Sequence, residues 1–597
     1  MALFGCTLLN KIAKLTTYQH QSPKSPMSLY QTCHNFAYCR FLIGFVFFFW
    51  SIIISTAHCD EQVANTTGIE TINTILNQAR HPYLLHGDIA DQVANLQKLY
   101  GLSQNRLIWF KGGTEGSTVY DLLSLLGSAP EHGLKAEFYD AEQLRQKWSD
   151  ITEKHTASEV DLTLYDVALN IALLRYMSDL HFGRARPKGL TINSSFTLPD
   201  IDLAERIYTS AQTGNVSVHN ENLQPNLPGY RNLKLALARY RSAKAELGDL
   251  PQNFKTPLKG DQIADLKQLL TRLEDMAEAV PEQPHESKNK TNRLDKPLIN
   301  GIKNFQKRHS ITPDGKLNAK TLNALNIPLS DRINEIELAM ERFRWLPQLN
   351  ETPYIIVNIP AFQLWGYPSL TLSGEAQPMS MKVIVGESLD KQTPVLISDM
   401  QFLQFRPYWN VPPSIAKKEL LPKLRSNPDY LASHDMELVN GFGPNAAKYG
   451  VNSQTLSQLG QGVLKIRQRP GTKNALGTVK FVFPNNYNVY LHDTSSPKLF
   501  KRERRDFSHG CIRIEKPQEL AQFVLKNRPE WDEKKISLAM HDSSPKQVQL
   551  KQPIPVMIFY STAMADPDKV TFFEDIYSLN APLHQRLNDE KQYVAIK

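Results

Sequence analysis

The sequence predicts a multidomain α+β protein, with helices gathered in its first half and strands in its second. Three observations predict this. At 597 residues the chain is several times the usual size of one domain. Before residue 330, apolar residues recur at helical spacing, most clearly in Asp166–Met177, where they fall on nearly every turn. From Tyr354 onward, short runs rich in β-branched and aromatic residues (Tyr354–Pro360, Met381–Gly386, Val479–Phe483) read as strands.

In chain order, residues 1–59 come first. Residues 41–57 are apolar without a charge, and Arg40 precedes them. Seventeen residues is long for a signal-peptide core and short for a membrane span. Either reading sends the body of the protein across a membrane, by a cleaved signal or a retained anchor. Ser55-Thr56-Ala57 offers small residues for cleavage, and Met27 is an alternative start. The expected location is the periplasm. Net charge is +8 for the whole chain, but the first 59 residues hold four basic residues and no acid, leaving a nearly balanced body. Such a body does not argue for nucleic acid. Of the five cysteines, Cys6, Cys33, Cys39 and Cys59 sit in the leading segment, so the body has Cys511 alone. A single cysteine makes no internal disulfide. In an oxidising compartment, one retained thiol fits a working nucleophile better than a packing residue.

Residues 60–256 read as a helical scaffold, with Gly183 a plausible stop after Phe182 and a second helix at Asn232–Ala245. Residues 257–330 form a small module: a helix over Asp261–Met276, an exposed loop over 281–296, a stripe of Ile299, Ile302, Phe305 and His309, the turn Thr312–Gly315, and a last helix carrying Leu317, Leu322 and Leu325. Residues 331–353 make a connecting helix, with Ile333, Ile336, Met340 and Phe343 on one side. The β-rich domain runs from 354 to 540. Within it, residues near 410–470 read as a helical and polar insertion, a candidate lid beside the cleft. Pro517–Lys526 is an amphipathic helix that closes the domain, and residues 541–597, in which Val556–Tyr560 reads as a strand, form a C-terminal extension expected to pack on it.

The chemistry gathers in Phe507-Ser508-His509-Gly510-Cys511-Ile512-Arg513, with His492-Asp493-Thr494 a loop upstream. A thiolate is a far better nucleophile than a thiol and needs a base within reach. Tyr487–His492 reads as a strand, so Asn488, Tyr490 and His492 share a face. A second short extended piece ends in Cys511, and two neighbouring strands can hold an imidazole against a thiol. His509 is worse placed, because reaching the sulfur from two positions away requires a bent backbone. Gly510 allows that bend, and the N–H groups of Gly510 and Cys511 can cradle an oxyanion. Two bland readings stand beside this one. Cys511 is an inert packing residue, or His509 and Cys511 with His492 or His541 ligate zinc. The run Lys501–Arg505 reads as a solvated face, or as a holder of substrate carboxylates, for which Arg513 is the stronger single contact.

His492, fifteen intervening residues and then Ser508-His509-Gly510-Cys511 resemble the signature of the L,D-transpeptidase (YkuD-type) catalytic domain. The position after Ile512 is Arg513, where that signature often has Asn. Lys473–Gly477 and Phe405–Trp409 are similar to the family's run-up to its active site. His181–Arg184 and Tyr230–Arg241 resemble the scaffold region of the large members. Phe305–His309, Pro313–Gly315 and Thr321–Asn326 resemble the three-helix peptidoglycan-binding domain. The resemblance implies a mostly-β, β-sandwich-like catalytic domain that makes 3→3 cross-links between stem peptides of the cell wall. It assigns Cys511 as nucleophile and His492 as base, with the Asp493 carbonyl holding the imidazole. Ser508, His509, Gly510 and Arg513 are expected at the oxyanion and substrate site. No metal or organic cofactor is implied. The partners implied are donor and acceptor stem peptides, carbapenem-type inhibitors and other cell-wall synthesis enzymes. An L,D-carboxypeptidase, a lipoprotein-anchoring transpeptidase and a non-catalytic peptidoglycan-binding scaffold remain as alternatives.

Overall fold

The structure is a computed structural model, and it describes residues 66–110, 116–153, 157–187, 191–193, 201–214, 222–248, 253–258, 261–277, 294–347, 353–368, 378–443 and 445–589. The apolar run 41–57 and the first four cysteines lie outside the described residues, as does most of the 281–296 loop.

The scaffold is built around the helix Glu159–Phe182, whose residues are buried on every side. That explains why its apolar residues show no single stripe. Ser158 caps its first turn, its side chain accepting from the Asp161 N–H. Helices Val93–Leu102, Gly116–Gly127, Ala141–Glu153 and Leu203–Thr213 surround it. A further helix, Pro228–Leu247, longer than its sequence signal, leads out toward the module.

The module has helices Gln262–Arg272, Lys296–Arg308 and Ala319–Leu325. The fully buried Gln306 side chain organises its turn. It donates to Asp314, to the Lys316 carbonyl and to Thr321, and accepts from the Gly315 N–H. Two of the contacts that join the module to the rest involve Arg308 and His309. Arg308 binds both carboxylate oxygens of Asp275 and donates to the Tyr240 hydroxyl. The His309 ring is sandwiched between Phe305 and Phe572, 3.9 and 5.3 Å between centroids. The connecting helix is observed at Leu329–Arg344. Its Arg344 is buried against Glu341, the Tyr230 hydroxyl and the His132 carbonyl, which ties it to the scaffold.

The strands, in chain order, are β1 Thr191–Asn193, β2 Tyr354–Asn358, β3 Gln363–Tyr367, β4 Met379–Gly386, β5 Leu396–Phe405, β6 Trp409–Asn410, β7 Met436–Val439, β8 Lys448–Tyr449, β9 Lys465–Gln468, β10 Val479–Val482, β11 Leu491–His492, β12 Asp506–Ser508, β13 Ile512–Ile514, β14 Lys546–Phe559, β15 Ala563–Ala565 and β16 Val570–Phe572. The main sheet runs β1-β5-β10-β11-β13-β4-β3-β2-β14, with β12 alongside β4. Because β14 pairs both with β2 and with β5, the sheet closes on itself. Closure removes free edges. It also explains why β2 is buried at all five positions. The core of this domain joins Val383, Val385, Phe405, Phe481, Leu491, Ile512 and Ile514 to Leu520, Ile536 and Met540 of helices Pro517–Val524 and Glu533–His541. The scaffold's β1 extends the sheet by pairing with β5.

Two readings of the sequence are corrected here. Residues 546–559 are not an appendage packed on a finished domain; they are the strand that closes the sheet. The insertion near 410–470 is not simply helical and polar. It holds a four-stranded sheet, β6-β9-β7-β8, with helices Leu421–Ser426 and Ser453–Gln461 on its own apolar core of Leu424, Leu438, Leu459 and Ile466.

Candidate active site

Strand alternation decides which side chains reach the cleft. Phe481, Leu491, Ile512 and Ile514 are fully buried and point into the core. Their neighbours Lys480, Tyr490, His492, Cys511 and Arg513 therefore point to the other face. Pairing places them in rows. Lys480 on β10 is opposite His492 on β11, which is opposite Arg513 on β13. The same register sets Tyr490 beside Cys511, and the Ile512 N–H donates to the Tyr490 carbonyl at 3.1 Å. His492 and Cys511 thus stand diagonally on one face. Arg513 joins them there.

The imidazole is held firmly. His492 Nδ1–H donates to the main-chain carbonyl of Asp493 at 2.5 Å, so Nε2 is left as the acceptor. Its ring meets the Tyr490 ring edge-on at 5.7 Å. Burial, with the nearby Arg513 guanidinium, drives His492 down to about 3, so it is neutral at neutral pH. Asp493 is itself fixed. Its carboxylate accepts from the Thr478 N–H and hydroxyl at 2.8 and 2.7 Å and from the Thr494 N–H at 2.7 Å. The turn Lys473–Gly477 makes that possible. Asn474 is fully buried and braces the turn against the carbonyls of Pro407 and Arg469. At Gly477, with φ of 61°, a Cβ would lie 2.4 Å from the Asp493 carboxylate.

The Cys511 thiol is half-buried and donates to the Asn488 carbonyl at 3.7 Å. Burial pushes it up; hydrogen bonds from Tyr490 and the charges of Lys480 and Arg513 pull it down. The turn before it is braced throughout. Gly510 adopts φ of 109°, which only glycine takes easily. Ser508 Oγ donates to the Cys511 carbonyl at 2.5 Å and accepts from the Gly510 N–H at 3.2 Å. Thr393 Oγ1 donates to the Gly510 carbonyl at 2.8 Å and accepts from the Gly386 N–H. Tyr577, from beyond β16, donates to the Gly386 carbonyl at 2.6 Å.

The structure separates other predicted residues. His509 turns away from the thiol: its Nε2 meets Glu419 of the insertion at 2.5 Å and Lys391 at 2.8 Å. His541 bonds within its own helix, to the Ser537 carbonyl. The four candidate zinc ligands therefore do not converge, and among the described residues no three His, Cys, Asp or Glu side chains form a metal-binding group. The strand at Tyr487–His492 shrinks to Leu491–His492, because Asn488 turns with φ of 55°. Asn488 contributes its carbonyl rather than a side chain on the shared face. Cys511 precedes β13 instead of ending a strand. In the basic run, Arg504 pairs with Asp506, and Arg505 is buried on the carbonyls of Val383 and Phe362. Glu503 reaches Thr312 and Lys320 of the module. These residues brace the loop rather than wait for substrate.

Sequence reasoning missed Lys480 and Glu419. Lys480 left a signal: a lone cation inside the apolar strand Val479–Phe483 falls, by period two, on the face opposite Phe481. Glu419 left none, since it meets His509 only through the fold.

Comparison with known proteins agrees with this architecture. Residues 352–535 match the family described as L,D-transpeptidase catalytic domain (YkuD). Residues 94–237 match the family described as "Scaffold domain", and residues 259–325 match "Putative peptidoglycan binding domain". The chain is 28% identical over 280 residues to a protein of Haemophilus influenzae named "Putative L,D-transpeptidase". That match covers 46% of this chain and 55% of the relative. The thiol-bearing sheet is thus an L,D-transpeptidase catalytic domain, carried on one chain with a scaffold domain and a peptidoglycan-binding domain.

Proposed function

We propose that the chain is an exported peptidoglycan L,D-transpeptidase that forms 3→3 cross-links through a thioester on Cys511. The observation that carries this reading is the tautomer lock, His492 Nδ1–H on the Asp493 carbonyl, on the face it shares with the half-buried Cys511 thiol. In the resting pair both groups are neutral, because burial disfavours the imidazolium and the thiolate alike. The proton then passes from Sγ to Nε2 as sulfur attacks the carbonyl between the third stem residue, an L-linked diamino acid, and the terminal D-Ala. His492 returns the proton to the leaving amine, and a thioester remains. The side-chain amine of a second stem peptide attacks it, and the thiol is regenerated. The Cys511 N–H faces the developing oxyanion in this scheme. The Gly510 N–H joins it only by exchanging its Ser508 partner. The adjoining peptidoglycan-binding domain supports a polymeric cell-wall substrate. The charge-free run 41–57 behind Arg40 supports export to the periplasm.

The test incubates residues 60–597 with disaccharide-tetrapeptide and reads products by mass spectrometry, with Cys511→Ser as control. Cross-linked dimer lacking one D-Ala, absent from the control, is the expected result. Tripeptide alone would replace this reading with a carboxypeptidase. No product from either protein would replace it with a binding role in which Cys511 is idle.

A further inference from the structure

Two cations flank the thiol with no acid to balance them. Lys480 and Arg513 share the face of Cys511, one on each side of His492 in the same row. The Lys480 ammonium lies 3.7 Å from the centre of the Tyr490 ring, so its chain leans out of its own row toward the row that holds Cys511. Both side chains are half-buried. Burial pushes both below their ordinary values, and among the described residues neither has a carboxylate that acts on it. Of the acids nearest in sequence, Glu515 accepts from the Lys382 N–H, and Asp493 is turned to Thr478 and Thr494. Buried cations elsewhere in this chain are held by hydrogen-bond acceptors: Arg308, Arg344 and Arg175 meet Asp275, Glu341 and Asp91, while Arg342 meets Asn580 and the Leu579 carbonyl and Arg505 meets the Val383 and Phe362 carbonyls. Two half-buried cations of like sign, left without a counter-charge around a nucleophile, describe a site for an anion that arrives with the substrate.

We infer that Lys480 and Arg513 bind a carboxylate of the donor peptide, namely the free α-carboxylate of the residue that the reaction expels. This rests on the reading above for the identity of the donor. The carboxyl carbon of that residue lies three bonds beyond the scissile carbonyl carbon, within about 5 Å of it. When the carbonyl sits on Sγ, the carboxylate falls on the face where Arg513 stands two residues on from the thiol, about 7 Å along, and Lys480 stands two strands over, about 10 Å away, each on a long side chain. The two side chains therefore select donors that end one residue after the scissile bond. An amide or a further residue at that position removes the charge or displaces it. Arg513 offers a planar fork for the carboxylate, and Lys480 adds a point charge from the other side.

The experiment uses the full chain in detergent and has two arms. In the first, Cys511 is alkylated with iodoacetate or iodoacetamide, and the Cys511 peptide is quantified by mass spectrometry. Thiol reactivity is common to both reagents, so their rate ratio, relative to that of free cysteine, reports the local charge alone. The expected ratio at Cys511 is about fivefold to tenfold above free cysteine, falling toward one in Lys480→Met and retained in Lys480→Arg. An equal ratio in wild type and Lys480→Met overturns the anion site. In the second arm, disaccharide-tetrapeptide is compared with the same compound amidated at its terminal carboxyl. Preferential turnover of the free acid, reduced in Lys480→Met mainly through KM, supports the assignment. Equal turnover of acid and amide by the wild type overturns it. A raised alkylation ratio with no turnover of either donor upholds the anion site and tells against the transpeptidase reading instead.

Discussion

The joints of this molecule and its thiol face treat buried positive charge in opposite ways. At the joints, Arg308 and Arg344 are almost wholly buried, and each has a carboxylate and a tyrosine hydroxyl against it. These contacts fasten the module and the connecting helix to the helix Pro228–Leu247 through Tyr240 and Tyr230. At the thiol face, Lys480 and Arg513 have no such partner among the described residues, and His492 between them is held neutral. Each arrangement suits its task. A joint has to be complete before any ligand arrives, because an uncompensated buried charge costs several kcal/mol. A binding face has to stay incomplete, and it tolerates this because its cations keep partial contact with water.

The largest effect that would break this contrast lies at the joint. Asp275→Ala leaves Arg308 buried with only the Tyr240 hydroxyl, and it should cost about 3–5 kcal/mol. The urea midpoint of unfolding, followed by tryptophan fluorescence, measures it. Lys480→Met, which removes an unpaired charge and keeps the apolar stem, should shift the same midpoint by less than about 1 kcal/mol. Equal losses in the two variants would mean that the thiol face is a structural joint like the other. A smaller effect, on chemistry rather than stability, is expected at Gly477. The Cβ of Gly477→Ala would meet the Asp493 carboxylate at 2.4 Å, so Asp493 has to move and the carbonyl that holds His492 moves with it. A displacement near 1 Å of a group that orients a base lowers turnover about 100-fold. The expected signature is a fall in kcat of the native enzyme, measured where the variant is fully folded, beside a loss of stability from the positive φ. Unchanged kcat would show that the imidazole needs no such brace.

How much of this was legible in the sequence follows from how local each feature is. The Ser508–Cys511 turn, the helix Glu159–Phe182 and the module's turn at Thr312–Gly315 declare themselves over a few residues, through glycine, proline and helical spacing. The closing strand β14 did so only in its last part, where Val556–Phe559 reads as a strand. Its pairing with β2 and β5 joins residues some 140 to 200 positions apart, and nothing in Lys546–Phe559 names its partners. The insertion's sheet was hidden for another reason. Its strands are two to four residues long, and β8 is the exposed pair Lys448–Tyr449, too short for alternation to register. At the site, His492 and Cys511 were legible as chemistry. The turn at Asn488 that shortens the preceding strand was not, because Tyr487–His492 has the composition of a strand throughout.

A further effect, spread over two pH units, tests the neutral histidine between the two cations. His492 is lowered to about 3 in the fold, against about 6.5 in an unfolded chain. Between those values the unfolded state binds one proton more than the native state, so stability falls as pH drops from about 6.5 and rises as pH is restored. Each such proton contributes a slope of about 1.4 kcal/mol per pH unit. His81 and His132, lowered to about 4 and about 3 by burial, act in the same direction, so the wild type alone does not isolate the site. His492→Gln keeps a polar side chain at the position and removes the titrating group. Its stability, measured by urea unfolding at half-unit steps from pH 6.5 to 4.5, should show a slope shallower than the wild type's by about one proton. The contrast between joint and face requires this, because a neutral His492 is what lets Lys480 and Arg513 stand on either side of it without a third like charge. If the two slopes coincide, His492 is protonated in the native state near pH 5. The row Lys480–His492–Arg513 would then carry three positive charges, and an anion would have to be present on that face even in the resting protein.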